Sequence, residues 1–256
     1  MSSWGLEPNL ITYNSLIDAG AKGQADFNVV VKFYDELLGR GIVPNRLTNN
    51  SLLSVCPPKG MWEMAQKLLS EMDNKGIVRD VFTYNTYLDA LCKGGQIDLA
   101  RRVLEEMSSR RVWSTVVTYS TMIDGCAKAN LLEEALNLYE EMKIRSISVD
   151  RVSYNTLVGI YAKLGRFDEA IDQCKEMERC GMKKDVVTYN ALLSGYGMHV
   201  RFDEVRRLFE EMKAHNIYPN TLTYSTMIEV YTKGGMFQQA MDVYIEFKKT
   251  QLEIDV

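Results

Sequence analysis

The sequence predicts an all-α protein, an α-solenoid superhelix of about seven stacked helix–turn–helix units. Three observations carry this prediction. A Thr or Ser inside a "VTYN"-like start recurs at Thr12, Thr48, Thr83, Thr118, Ser153, Thr188 and Thr223, spaced 36, 35, 35, 35, 35 and 35 residues apart. Each interval carries two apolar stripes at helical i, i+3, i+4, i+7 spacing. The stripes end at residues suited to a helix terminus, glycine most often. Two short helices cannot bury both apolar faces alone, so the units must stack, giving a concave and a convex surface.

Taken in order, residues 1–9 read as the tail end of a preceding repeat, because "WGLEPN" matches the unit ends "RGIVPN" and "HNIYPN". The array then runs 10–45, 46–80, 81–115, 116–150, 151–185, 186–220 and 221–255, with Val256 opening a further unit. The unit 151–185 shows the pattern plainly. Ser153 reads as an N-cap, and Tyr154, Leu157, Val158 and Tyr161 form one helix face. Gly165 is expected to take the left-handed conformation at the helix end. Phe167, Ala170, Ile171, Cys174 and Met177 form the second stripe, which Gly181 closes. The corresponding first-helix faces of the last two units are Tyr189, Leu192, Leu193, Tyr196 and Tyr224, Met227, Ile228, Tyr231. Second stripes close on Met72, Met107, Met142, Met177, Met212 and Phe247. This column is expected to be core, since methionine fills irregular gaps between helices. Two departures stand out. The first unit has one extra residue, expected between Lys22 and Phe27. The second has Asn49 where the others have Tyr, and Pro57-Pro58 should end its first helix early.

The bulk composition limits the function. The 256 residues are 46% apolar and 25% charged, which is ordinary for a folded chain. A net charge of −4 weighs against an avid non-specific nucleic-acid binder, though it leaves room for a locally basic groove. The five cysteines lack C-x-x-C spacing, so a reduced protein without disulfides or a zinc site is expected. No apolar run approaches the ~18 residues of a membrane helix, and no membrane partner is expected. His199 and His215 have no Cys or His at metal-ligand spacing, and His199 reads as a surface residue. No phosphate-cradling G-x-x-x-x-G-K-[ST] occurs. The acidic pairs at 105–106, 133–134, 140–141 and 210–211 read as a solvated outer face. No enzyme, no metal and no cofactor are expected.

A 35-residue helical hairpin with the motifs "VTYNALL", "YAKLGRFDEAI", "FEEMKAHNIYPN" and "CKGGQIDLARRVLEEM" resembles the pentatricopeptide repeat (PPR), and its uniform period resembles the P class. The resemblance covers the chain from Leu10 to Asp255. The run from "GGQIDLARRVL" to "YSTMIEVYTKGG" is similar to the repeat tract of plastid PPR proteins that carry a small MutS-related domain and act in plastid-to-nucleus signalling. That resemblance implies a chloroplast protein.

Numbering each unit from two residues before its Thr or Ser defines the candidate site columns. Position 5 reads Asn14, Asn50, Asn85, Ser120, Asn155, Asn190 and Ser225, off the core face. An amide carries both donor and acceptor and can read a base edge. Position 13 offers Lys22, Lys93, Lys128, Lys163 and Lys233 as phosphate partners, with Pro58 and Met198 in the other two units. Asp18, Asp89, Asp124 and Glu229 at position 9 offset four of these lysines, so phosphate attraction should be modest. Position 2 is apolar throughout: Ile11, Leu47, Phe82, Val117, Val152, Val187 and Leu222. The residues alone support a hydrophobic staple ahead of the cap. The PPR resemblance implies instead that these side chains sandwich bases. The last residue of each unit is Asn45, Asp80, Thr115, Asp150, Asp185, Asn220 or Asp255, which suits a turn or a helix dipole. The resemblance implies that it pairs with position 5 to select one base of single-stranded RNA. Unit by unit, the pairs imply C or U, U, a pyrimidine, G, U, C or U, and G. Read in the family polarity, the implied target is Y-U-Y-G-U-Y-G, Y being a pyrimidine. The rival expectation is a solenoid scaffold that binds a plastid protein, or a small ligand such as a tetrapyrrole. The sequence leaves the oligomeric state open.

Overall fold

The computed structural model describes residues 7–23 and 26–250. All regular structure among them is helical, and it falls into two compact units, Met1–Ile147 and Ser148–Val256. The first holds α1 (Leu10–Lys22), α2 (Phe27–Gly39), α3 (Arg46–Leu53), α4 (Trp62–Asn74), α5 (Val81–Lys93), α6 (Ile97–Ser109), α7 (Val116–Lys128) and α8 (Leu132–Ile144). The second holds α9 (Arg151–Lys163), α10 (Phe167–Arg179), α11 (Val186–Met198), α12 (Phe202–Ala214), α13 (Thr221–Lys233) and α14 (Phe237–Lys249). Odd-numbered helices carry the Thr-Tyr-Asn motif or a close variant of it. Within the first compact unit α1, α3, α5 and α7 pack one on the next. Within the second, α9, α11 and α13 do the same. The fold is an all-α helical repeat solenoid.

The predicted core faces are largely buried, with Phe167, Ile171 and Ile228 half-buried. Tyr84, Tyr119, Tyr189, Leu88, Ile123, Leu192 and Leu193 are all inaccessible, as are Met72, Met107, Met142, Met177 and Met212. Burial of each such side chain contributes about 1.5–3 kcal/mol. The tyrosines that follow the Thr of the motif have partners for their hydroxyls. Tyr13 donates to Glu36 at 2.8 Å, Tyr84 to Glu106 at 3.0 Å, Tyr119 to Glu141 at 2.8 Å and Tyr189 to Glu211 at 2.9 Å. This corrects the solvated reading of the acidic pairs: Glu106, Glu141 and Glu211 are half-buried acceptors that clamp the first helix to the second. Glu106 and Glu211 also pair with a cation from the end of the preceding repeat, Arg79 at 3.2 Å and Lys184 at 2.6 Å. Burial, together with the bond to Glu211, pushes the Tyr189 hydroxyl up to about 12.

The second repeat is irregular as expected. Helix α3 stops at Leu53, and a single 3-10 turn, Pro57–Lys59, follows. Pro57 has no N–H to give the Leu53 carbonyl, so the helix cannot continue. Asn49 is fully buried. Its Nδ2 donates to the Asn45 carbonyl at 2.8 Å, but its Oδ1 has no partner among the described residues. The extra residue of the first repeat lies between α1 and α2, where Gly23 and Asp26 flank residues outside those described.

Gly165 ends α9 in the left-handed conformation at φ +72°, and the next N–H, on Arg166, bonds back to the Tyr161 carbonyl at 2.9 Å. The equivalent residue of the sixth repeat is Val200, at φ +60°. A β-branched side chain there costs about 1–2 kcal/mol. His199 beside it is exposed, yet it is more than a surface residue. Its Nε2 lies 2.9 Å from the Lys163 carbonyl, and its ring meets Phe167 edge-on at 5.4 Å.

Two stability changes follow. Val200→Gly should stabilise the protein by about 1 kcal/mol once its own unfolded-state entropy is counted, read as a raised denaturation midpoint. Gly195→Ala should destabilise it. The new Cβ would meet the Ala162 side chain and come within 2.8 Å of its carbonyl carbon, forcing α9 and α11 apart. Overpacking of this kind costs about 1–3 kcal/mol, which outweighs the gain in helix propensity.

Candidate nucleic-acid interface

The odd-numbered helices begin earlier than the sequence suggests. The N-cap of α9 is Asp150, and Ser153 lies at the third helical position, N3. The same holds for Asn45, Asp80, Asp185 and Asn220, which cap α3, α5, α11 and α13. In those four starts the side chains are reciprocal. The cap oxygen accepts the Thr N–H, and the Thr hydroxyl accepts the cap N–H, as Thr83 and Asp80 show at 2.9 and 3.2 Å. This is a capping box with Thr in place of Glu. Thr115 uses the same Thr partner, its N–H meeting the Thr118 hydroxyl at 3.0 Å.

The corrected helix start overturns the staple reading of position 2. These residues lie in the first helical turn, not ahead of the cap, and they point away from the core. Ile11, Leu47, Phe82, Val117, Val152, Val187 and Leu222 are 50–74% exposed.

The Thr at position 3 has a second role that sequence reasoning missed. Its hydroxyl donates to the position-5 amide of the preceding repeat. In the first compact unit Thr48 meets Asn14 at 2.6 Å, Thr83 meets Asn50 at 2.7 Å and Thr118 meets Asn85 at 2.7 Å. In the second, Thr188 meets Asn155 at 2.6 Å and Thr223 meets Asn190 at 2.7 Å. With Oδ1 so held, the Asn Nδ2 turns toward the last residue of its own repeat. Asn50 donates to Asp80 and Asn155 to Asp185, both at 3.2 Å; Asn190 donates to Asn220 at 3.3 Å and Asn14 to Asn45 at 3.5 Å. The last residue is therefore both the cap and the partner of position 5. Each of these amides keeps a second Nδ2–H with no partner among the described residues.

The remaining pairs differ. Asn85 has its Thr118 contact but no hydrogen bond to Thr115 among the described residues. The Ser120 hydroxyl donates to the Val116 carbonyl at 2.7 Å, and Asp150 accepts the Ser153 N–H at 2.8 Å. Ser225 is exposed, and Asp255 lies outside the described residues.

The lysine column is largely neutralised. Lys22 pairs with Asp18 at 2.6 Å, Lys93 with Asp89 at 2.8 Å, Lys128 with Asp124 at 2.6 Å and Lys233 with Glu229 at 2.5 Å. Lys163 follows Gly159 at position 9 and makes no ion pair among the described residues. Burial would raise the Asp80 carboxyl, but the Thr83 N–H and hydroxyl, the Asn50 amide and the Arg46 guanidinium together hold it below its ordinary value. Asp185 is held down in the same way by Thr188, Asn155 and Arg151.

The chain matches the model of the PPR repeat family over 48–93, 79–128, 114–162, 149–189 and 184–233. The pentatricopeptide repeat domain model matches 1–58, and the PPR repeat model matches 222–251. No curated protein matches it. Among solved structures it is similar to the pentatricopeptide repeat protein PPR10 in complex with an 18-nucleotide psaJ RNA element. The TM-score is 0.69 at 26% identity, over 99% of this chain and 42% of that one. The structure of PPR10 from maize gives 0.66 at 26% identity, over 99% and 40%. The PPR domain of Arabidopsis thaliana protein-only RNase P 1, in complex with tRNA, gives 0.54 at 15% identity over 66% of this chain and 89% of that one, a likeness of fold alone. The chain thus spans about two-fifths of the PPR10 chain, 42%.

Thr188→Val should leave the buried Asn155 Oδ1 without its donor and destabilise the protein by about 1–3 kcal/mol. Thr188→Ser should recover most of the loss in denaturant melts. Asp80 and Asp185 titrate lower folded than unfolded, so their contribution is complete above the unfolded carboxylate range, near pH ~4–5, and is lost as pH falls through the folded value. The melting temperature should be level in this respect from pH 8 to about 5 and fall below that. The double variant Asp80→Asn, Asp185→Asn should fall less steeply.

Proposed function

The chain belongs to the pentatricopeptide repeat family, and on that premise we propose that it binds single-stranded RNA, one base per repeat. The observation that carries the proposal is the position-5 amide. Its Oδ1 is fixed by a Thr, one Nδ2–H is spent on the last residue of the repeat, and the other N–H has no partner among the described residues. An outward N–H suits the carbonyl oxygen of a pyrimidine. The last residue then separates the two pyrimidines. Asp80 and Asp185 add an acceptor for the N3–H of uracil. Asn45 and Asn220 use Oδ1 inward and leave an amide donor, which suits the unprotonated N3 of cytosine as well as a uracil carbonyl. The exposed apolar residues at position 2 are the side chains against which bases would stack. The structural likeness to PPR10 in complex with RNA supports the reading. The proposed target is Y-U-Y-G-U-Y-G, and the proposed setting, on sequence resemblance, is chloroplast gene expression or plastid-to-nucleus signalling.

A second reading is favoured by the ion-paired lysines, which leave little free positive charge along the column. In it the exposed apolar column holds a plastid protein, or a small ligand such as a tetrapyrrole. Selection from a random RNA pool separates the two. Enrichment of Y-U-Y-G-U-Y-G supports the first. An unenriched pool together with a reproducible protein or tetrapyrrole complex supports the second. Asn155→Ser should move the fifth selected base from U toward G, and an unchanged preference would sink the one-base-per-repeat reading.

A further inference from the structure

We infer that Arg46 and Arg151 are the phosphate-holding residues of this interface, each docking one RNA phosphate beside the base that its own repeat selects. The inference rests on the RNA-binding reading above. It starts from position 1, which reads Leu10, Arg46, Val81, Val116, Arg151, Val186 and Thr221. Arginine stands there only in the second and fifth repeats, and these are the two that combine Asn at position 5 with Asp at the end.

The position opposes a cation. Arg46 and Arg151 are the first residues of α3 and α9, where the positive end of the helix dipole disfavours a basic side chain. What offsets this is the aspartate at the end of the same repeat. Arg46 Nε lies 3.0 Å from Asp80 Oδ2, and Arg151 Nη1 lies 3.5 Å from Asp185 Oδ2. The other oxygen of each aspartate is taken inward. Asp80 Oδ1 accepts from the Thr83 N–H and from Asn50, and Asp185 Oδ1 accepts from the Thr188 and Val187 N–H groups and from Asn155. Oδ2 is therefore the oxygen that faces a base, and the guanidinium sits beside it. Oδ2 has a second lone pair, so one arginine contact leaves it able to accept from uracil.

Two features make the arginines phosphate ligands rather than mere props. An aspartate facing RNA brings a negative charge to a polyanion, and the adjacent guanidinium cancels it. The guanidinium also has donors to spare. Arg46 uses Nε on Asp80, and its Nη1 and Nη2 have no partner among the described residues; its side chain is 53% exposed. Arg151 spends Nη1 on the Lys183 carbonyl and Asp185 and is 43% exposed. A planar fork of this kind matches two phosphate oxygens. By contrast, four of the five position-13 lysines are already closed by acids.

The test is the salt dependence of binding to a single-stranded oligonucleotide carrying CUCGUCG, measured on the full chain. Each phosphate contact to a single strand contributes about 0.7 to the slope of log K against log salt. Arg46→Gln and Arg151→Gln should each lower the slope by about 0.7, and the double variant by about 1.4. Arg46→Lys should keep the slope, and Lys93→Gln should change it by less than either glutamine variant. Thermal melts of each variant confirm that the fold is kept. An unchanged slope in the double glutamine variant overturns the inference. So does a shift in base preference at the second and fifth positions without a change of slope, which would make the arginines props for Asp80 and Asp185. Absence of binding by the unsubstituted chain is a failure of the RNA reading itself and is seen before any variant is made.

Discussion

The hydrogen bond from the Thr at position 3 to the Asn at position 5 of the preceding repeat is the contact on which the site depends. It is short, 2.6–2.7 Å, and its acceptors are buried in Asn14, Asn50, Asn155 and Asn190. A buried amide is costly unless both its ends are satisfied. Threonine satisfies Oδ1, the end of the repeat satisfies one Nδ2–H, and the second N–H has no partner among the described residues. One hydroxyl therefore does three things. It completes the helix cap, joins neighbouring repeats and fixes which way the amide points.

The same economy governs charge. Nearly every cation near the site has an acidic partner: Lys93 with Asp89, Arg46 with Asp80, Lys184 with Glu211. Exposed pairs such as Lys93–Asp89 add little stability, about 0–1 kcal/mol. Their effect is on long-range attraction, since paired charges project little field beyond a Debye length. On the proposed reading, selectivity comes from short-range hydrogen bonds and stacking more than from steering. That fits a chain whose net charge is −4.

Much of the architecture was legible because it is periodic. The anchor spacing located the repeats, and the i, i+3, i+4, i+7 stripes located buried faces such as Tyr189, Leu192, Leu193 and Tyr196. Pro57-Pro58 located the broken helix. Two of the errors share one cause. Placing the cap at Ser153 rather than Asp150 moved the helix start by three residues, and the staple reading of position 2 followed from it. A short polar residue three positions before Thr was the signal for the true start, since cap and N3 residues bond reciprocally. The acidic pairs misled because sequence shows periodicity of charge but not which of two adjacent glutamates turns toward a buried tyrosine.

The sequence by itself determined the helical class, the repeat length and the core columns, and it located the position-5 and repeat-end columns without showing that most position-5 side chains are buried. Composition and period suffice for these, because each depends on contacts local in the chain or repeated every 35 residues. Only the tertiary structure decided how the side chains are shared. Asn155 meets Asp185 and Thr188, 30 and 33 residues away, and Arg151 meets Asp185 across 34. Those contacts exist only when one repeat is stacked on the next. Stacking also leaves Val187 exposed while burying Tyr189 two residues later. A helix offers both faces, and it is the neighbouring repeat that covers one and leaves the other open.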